Sequence, residues 1–236
     1  MKTLKMIIFG LAMMVYSYVS VSLYHTPDAK EIYSGIPYGG ILYVYMIHLL
    51  FLGCYVFYVY TDIEEYLYQY GVYMVIREQS RKKLFLRLTK KIFWKALQLE
   101  CMLWAGYLII TMLEYGKVQI FDFHLFLTRI ILHFLCVYTL LFVQMLLEIF
   151  LSGKTALISI LSGYLSLVCL SDLLHKCEIK VKYIELLLFP NLLMQSRLYK
   201  ILPQNQMDCF VILFVLFCDI ILYWIGRKLF FKKDII

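Results

Sequence analysis

Long apolar stretches separated by short polar connections dominate the chain: residues 6–24, 39–60, 93–115, 127–151, 155–173 and 209–226 contain few charges. A hydrocarbon core of about 30 Å needs roughly 20 helical residues at about 1.5 Å rise each, so every stretch meets or approaches the length of a crossing. The runs are continuously apolar rather than alternating with a period of two, and backbone groups in lipid must be satisfied within the segment. Both facts select helices over a membrane barrel. The pattern predicts an all-α integral membrane protein with six transmembrane helices in a single transmembrane domain over residues 1–236. Only Ser152, Gly153 and Lys154 separate the fourth and fifth stretches, which predicts a tight antiparallel hairpin.

Two connections depart from plain loops. In residues 61–92, Leu84, Phe85, Leu88 and Ile92 recur at helical spacing while Lys83, Arg87, Lys90 and Lys91 fall at other angles. That is an amphipathic helix, suited to lie on the inner leaflet or to dock on a protein. Tyr66, Tyr68, Tyr70 and Tyr73 crowd just before it, as at a contact surface. Residues 174–208 form an external segment with an apolar run of Tyr183, Ile184 and 186–189, broken by Pro190 and Asn191 and resumed at Leu192. It is too short to cross twice, and either dips into the outer leaflet as a re-entrant hairpin or lies along the interface.

Composition supports this solvent assignment: 63% of the 236 residues are hydrophobic and 17% charged, and the 38 Phe and Tyr residues suit bilayer interfaces. The net charge of +7 would suit nucleic acid, but the cations cluster beside apolar spans, where lipid headgroups and topology account for them; no nucleic-acid partner is expected. With the N-terminus inside, 15 Lys and Arg fall on the cytoplasmic side and eight outside, so both termini are expected in the cytoplasm. The first stretch follows Lys2 and Lys5 as a signal peptide would, yet Tyr16 and Tyr18 near its end suit an interfacial belt, and a retained helix is the expectation. The seven cysteines form no CxxC pair and fall mostly in apolar runs, so free thiols are expected, with a Cys177–Cys209 pair left open.

Catalytic signatures fail on spacing. Gly153, Lys154 and Thr155 end like a phosphate-binding loop, but Glu148 stands where its first glycine belongs. Glu64 and Glu65 are similar to the paired glutamates of prenyl-protein processing membrane proteases, yet Gln69 occupies the place of that motif's arginine. His48 and Cys54, six residues apart, fall on different helical faces. No catalytic residue, no metal site and no cofactor on this chain are expected. Ionisable groups lie inside the spans, His48, Glu100, His133, Glu148 and Asp219, of which Glu100 and Glu148, several residues from the cytoplasmic ends of their spans, are the sharper candidates. A central Asp or Lys costs roughly 2.5–3.5 kcal/mol on insertion scales, so such groups face the bundle or a wet pathway. Each serves either an interhelical hydrogen bond or transport.

The layout resembles the membrane subunit of an ABC-2-type exporter, a family with six spans, a cytoplasmic coupling segment between spans two and three, and a re-entrant external hairpin between spans five and six. Tyr70, Gly71, Tyr73, Arg77, Ser80, Arg81 and Lys83 resemble the YGxYxxxRxxSRxK stretch of small bacterial permeases linked to bacteriocin and lantibiotic export or immunity. The resemblance implies ATPase coupling through Tyr70, Tyr73, Arg77, Ser80, Arg81 and Lys83, and an external gate at Phe189, Pro190 and Arg197. It also implies a bacterial cell membrane location, a partner ATPase subunit carrying ATP and Mg, a homodimer or a second permease, and a hydrophobic or amphipathic peptide substrate. The alternatives are a non-transporting immunity or sensor protein that binds a peptide, and an intramembrane protease.

Overall fold

The computed structural model describes residues 2–24, 28–40, 42–60, 81–118, 120, 122–177, 185, 188–201 and 204–232. These residues are almost entirely helical, with no β-strand among them. In chain order the elements are α1 (Lys2–Tyr24), a 3-10 turn (Ala29–Tyr33), α2 (Leu42–Val59), α3 (Arg81–Tyr115), α4 (Phe123–Phe150), α5 (Gly153–Lys176), α6 (Phe189–Leu193), α7 (Gln195–Ile201) and α8 (Gln204–Lys232). Five of them, α2 to α5 and α8, are long and apolar enough to cross a membrane, which marks a multi-pass membrane protein. In α1 the apolar stretch is the shorter Met6–Ser22.

Local chemistry sets several boundaries. Asp122 caps α4 by accepting from the Leu125 N–H at 3.0 Å, and Ser152 caps α5 by accepting from the Thr155 N–H at 3.4 Å. Leu151 and Ser152 alone join α4 to α5, so the two are forced into an antiparallel hairpin. Pro190 sits in the first turn of α6, where its missing N–H costs nothing.

Contacts between distant residues show how the helices alternate. Phe9 of α1 meets Tyr58 of α2 edge-on at 4.9 Å, and the Tyr58 hydroxyl donates to Gln98 of α3. Phe85 of α3 meets Phe142 of α4 and Phe230 of α8. The starts of α1, α3 and α5 therefore share one end of the bundle with the ends of α2, α4 and α8. This end carries Arg81, Lys82, Lys83, Arg87, Lys90, Lys91, Lys154, Arg227 and Lys228.

At 35 residues α3 is about 52 Å long, well beyond a hydrocarbon core of about 30 Å. No proline interrupts 81–115, and the amphipathic stretch runs on from Arg81 into the third apolar stretch as one helix. Its apolar stripe, Leu84, Phe85, Leu88 and Ile92, is buried, with Phe85 seated among Phe142, Tyr223 and Phe230 of the same chain. The stripe is covered from within, which leaves Lys82, Lys83, Leu86, Arg87 and Lys90 as the exposed face.

Helix α1 runs along α3, and Gly106 lets the two backbones touch: a Cβ there would lie 3.2 Å from the Met14 nitrogen and 3.3 Å from the Met13 carbonyl. Between α1 and α2 the chain turns through Gly35 at φ 64°, where a Cβ would meet the Met194 Cα at 2.9 Å. That contact brings the α6–α7 junction directly onto the α1–α2 connection.

Candidate functional site

The α6–α7 pair does not float over the bundle. Residues 190–195 are buried, and α6 packs against α4 and α5. Arg197 of α7 is fully buried and spends its fork on three elements: Nε donates to the Ile36 carbonyl at 2.9 Å, and Nη2 donates to the Tyr45 hydroxyl at 2.9 Å and lies 3.2 Å from Asp172 Oδ1. Its guanidinium also sits over the Tyr38 ring at 4.8 Å. The other face of Tyr38 stacks on His175 at 3.8 Å with 7° between the planes. The Tyr38 hydroxyl donates to Glu185 at 3.1 Å, and burial pushes it up to about 12, so it remains a donor at neutral pH. Asn191 completes the lock by accepting from Ser171 at 2.8 Å and donating to the Glu185 carbonyl at 2.7 Å.

Beneath this lock lies a second cluster. Glu100 of α3 receives the Tyr33 hydroxyl on Oε1 at 2.7 Å, and His133 Nδ1 of α4 approaches Oε2 at 2.8 Å. All three side chains are buried. Burial and the neighbouring carboxylate push the Tyr33 hydroxyl far above its ordinary range, which keeps it a donor to Glu100. Ser34 links the two layers: its hydroxyl donates to the Glu31 carboxylate and accepts from Arg129 Nη1, while its carbonyl accepts from the Ser196 N–H. Gln195 adds a hydrogen bond to the Arg129 carbonyl at 3.0 Å. The connection between α1 and α2 is thus clamped between α3 and α4 on one side and α7 on the other.

The remaining intramembrane groups are scattered through the bundle. His48 Nε2 lies 2.9 Å from the Tyr164 hydroxyl, which ties α2 to α5. Gln144 donates to Glu148 at 2.7 Å and to the Val56 carbonyl at 2.9 Å. Asp219 of α8 lies 2.7 Å from the Thr139 hydroxyl. The His48, Gln144–Val56 and Asp219 contacts join different helices, as polar contacts in membrane bundles do, while Gln144–Glu148 lies within α4.

Sequence reasoning placed Glu100 a few residues from the cytoplasmic end of its span. Glu100 lies 19 residues from the start of the continuous α3, and its carboxylate meets the connection between α1 and α2. Of the expected gate residues, Pro190 and Arg197 are buried in the lock and Phe189 packs against the core at its edge. Of the expected coupling residues, Arg81 donates to the Phe231 carbonyl and Lys83 is exposed; Tyr70, Tyr73, Arg77 and Ser80 lie outside the described residues, as do Glu64 and Glu65. Cys54 lines an apolar groove while His48 bonds Tyr164, so no nucleophile–base pair joins them. Cys177 and Cys209 are free. The described residues hold no group of three or more His, Cys, Asp or Glu arranged for a metal ion.

Tyr33, Ser34, Tyr38, Asp172 and Glu185 belong to the lock and the Glu100 cluster and were not singled out by the apolar pattern. Tyr33, Ser34 and Tyr38 fall within residues 31–40, a short connection that also holds Glu31 and three glycines.

The chain matches, over residues 3–236, the family described as protein of unknown function, DUF2705. It belongs to that family. The match spans every helix of the bundle and both polar layers, so the lock and the Glu100 cluster lie inside the family domain. No curated protein and no solved structure matches the chain.

Proposed function

We propose that this chain is the membrane permease subunit of an ABC-type exporter that moves hydrophobic or amphipathic peptides, driven by a separate ATPase subunit. The observation that carries the reading is the α6–α7 pair, placed between the last two long helices and sunk into the bundle opposite its basic end. An external hairpin in that position is what the ABC-2 layout requires. A mobile outer gate needs a discrete latch, and the Arg197 fork is one side chain joining three elements.

Orientation follows from charge: the crowd of Lys and Arg at the end shared by α3 and α8 belongs in the cytoplasm by the positive-inside rule. With α1 as a sixth crossing, both termini face that side. The first part of α3 then projects from the inner leaflet, directly after residues 61–80, as the lever through which an ATPase carrying ATP and Mg would act. A six-helix subunit supplies half of such a pathway, so a second copy or a related permease completes it in the bacterial cell membrane.

The test is purification of the tagged chain in mild detergent from its own host. The reading expects an ATP-hydrolysing subunit in equal amount, lost on Arg77→Glu with Lys83→Glu, together with loss of peptide resistance in cells carrying the same substitutions. Resistance that survives those substitutions, with no hydrolysis above background, would leave a non-transporting immunity or sensor protein as the better account.

A further inference from the structure

Two cavities follow the seam between α2 and α5. The first, of about 320 Å³, lies at the end away from the basic crowd and is lined by Tyr38, Gly39, Gly40, Tyr45, Asp172, His175 and Lys176. The second, of about 630 Å³, is almost wholly apolar; Met46, Gly53, Cys54 and Phe57 of α2 form one wall, Leu157 and Leu161 of α5 form another, and Ile8 and Phe9 of α1 close it toward the basic end. Tyr45 and Met46 are adjacent in α2, one in each cavity. On α5, positions 157, 161, 168, 172 and 176 recur at intervals of four and seven, so Leu157, Leu161, Asp172 and Lys176 share one face. The polar cavity therefore sits at the head of the apolar groove.

Depth and charge say what fits. From Asp172 to Leu161 is 11 residues, about 16 Å of helix and close to half of a hydrocarbon core of about 30 Å. The deeper wall residue on α5, Leu157, is 15 residues from Asp172, about 22 Å of helix, so the groove runs on past the middle of the core, as deep as a long acyl chain reaches. Asp172 and Lys176 stand one helical turn apart with opposite charge, both facing the polar cavity. Asp172 and the Tyr45 hydroxyl are held in place by the buried Arg197, so the acidic side is preorganised. Asp172 Oδ1 already faces the Arg197 guanidinium, but the side chain keeps 26% exposure, so a ligand here offers an ammonium to its outer oxygen, an anion to Lys176 close to it, and an apolar tail to the groove. We propose that the α2–α5 seam is a binding site for one zwitterionic, amine-bearing phospholipid, its headgroup between Asp172 and Lys176 and an acyl chain in the groove beneath. This site depends on membrane insertion alone and stands whether or not an ATPase associates.

Full-length protein in detergent, stripped of native lipid, is titrated with dioleoyl-phosphatidylethanolamine or dioleoyl-phosphatidylglycerol, and bound lipid is counted by native mass spectrometry. One phosphatidylethanolamine is retained in preference to phosphatidylglycerol by about tenfold, as one charged hydrogen bond implies. Lys176→Gln, at an exposed position, removes most of that retention. Gly53→Leu, whose Cβ meets nothing within 4 Å, fills the groove and weakens both lipids alike while the melting temperature holds. Equal retention of the two lipids, unmoved by either substitution, overturns the proposal. So does a Lys176-dependent complex with a synthetic Leu–Lys amphipathic peptide where phosphatidylethanolamine forms none.

Discussion

The Tyr33 hydroxyl donates to Glu100 at 2.7 Å across 67 positions of sequence, joining the α1–α2 connection to the middle of α3. The bond is buried, so its loss leaves a carboxylate oxygen without a partner where water does not reach. Tyr33→Phe is expected to lower stability by about 1–3 kcal/mol, the desolvation cost of one orphaned buried group. Glu100→Gln, which keeps an acceptor for Tyr33, costs less than Glu100→Ala. Thermal unfolding in detergent, with all variants in the same micelle, ranks them.

The Arg197 fork makes an equally sharp claim. Lysine carries the charge but cannot reach the Ile36 carbonyl, the Tyr45 hydroxyl and Asp172 together. Arg197→Lys is therefore expected to behave more like Arg197→Ala than like wild type, with about 1.5–3 kcal/mol lost for each charged hydrogen bond removed. A cysteine at Ser196 should react with a hydrophilic maleimide faster in both variants, since α7 is no longer held in the bundle.

Much of this architecture is written in the sequence, and the missing parts have physical reasons. Helices α2, α4, α5 and α8 are continuous apolar runs that lipid can only accept as helices, and the Ser152 hairpin leaves no other geometry. The start of α3 was harder, because Lys82, Lys83, Lys90 and Lys91 around an apolar stripe describe an interfacial helix as well as a bundle helix. Which of the two forms is decided by Phe230 and Tyr223, more than 130 residues away. The expected list contained Glu100 and His133 as polar groups that lipid penalises, and Arg197 only through the family resemblance. Their partners Tyr33, Ser34 and Asp172 carry no such penalty in a connection or a last helical turn, so periodicity gives them no mark.

The covered stripe on α3 predicts a cross-link. In a cysteine-free background, Phe85→Cys with Phe230→Cys should join under mild oxidation, because the two rings are 5.4 Å apart. An α3 start lying separately on the leaflet would give no cross-linked species on a gel.

Glycines at two crossings should respond in opposite ways. Gly106→Leu forces α1 away from α3, because the clash is with the Met13 and Met14 backbone, and a loss of about 1–3 kcal/mol or more is expected. Gly53→Leu enters open space and leaves the melting temperature unchanged. A matched pair of melting curves checks both.

Sidedness is the most direct test, because alternating helices with one basic end underlie both the lever and the lock. Single cysteines are placed at Lys83, and kept at native Cys177, in an otherwise cysteine-free chain, then exposed to a membrane-impermeant maleimide in intact cells and in inverted vesicles. Labelling of position 177 only in intact cells and of position 83 only in inverted vesicles is the expected result. Both positions labelled from one side, or position 83 labelled from outside, would contradict it.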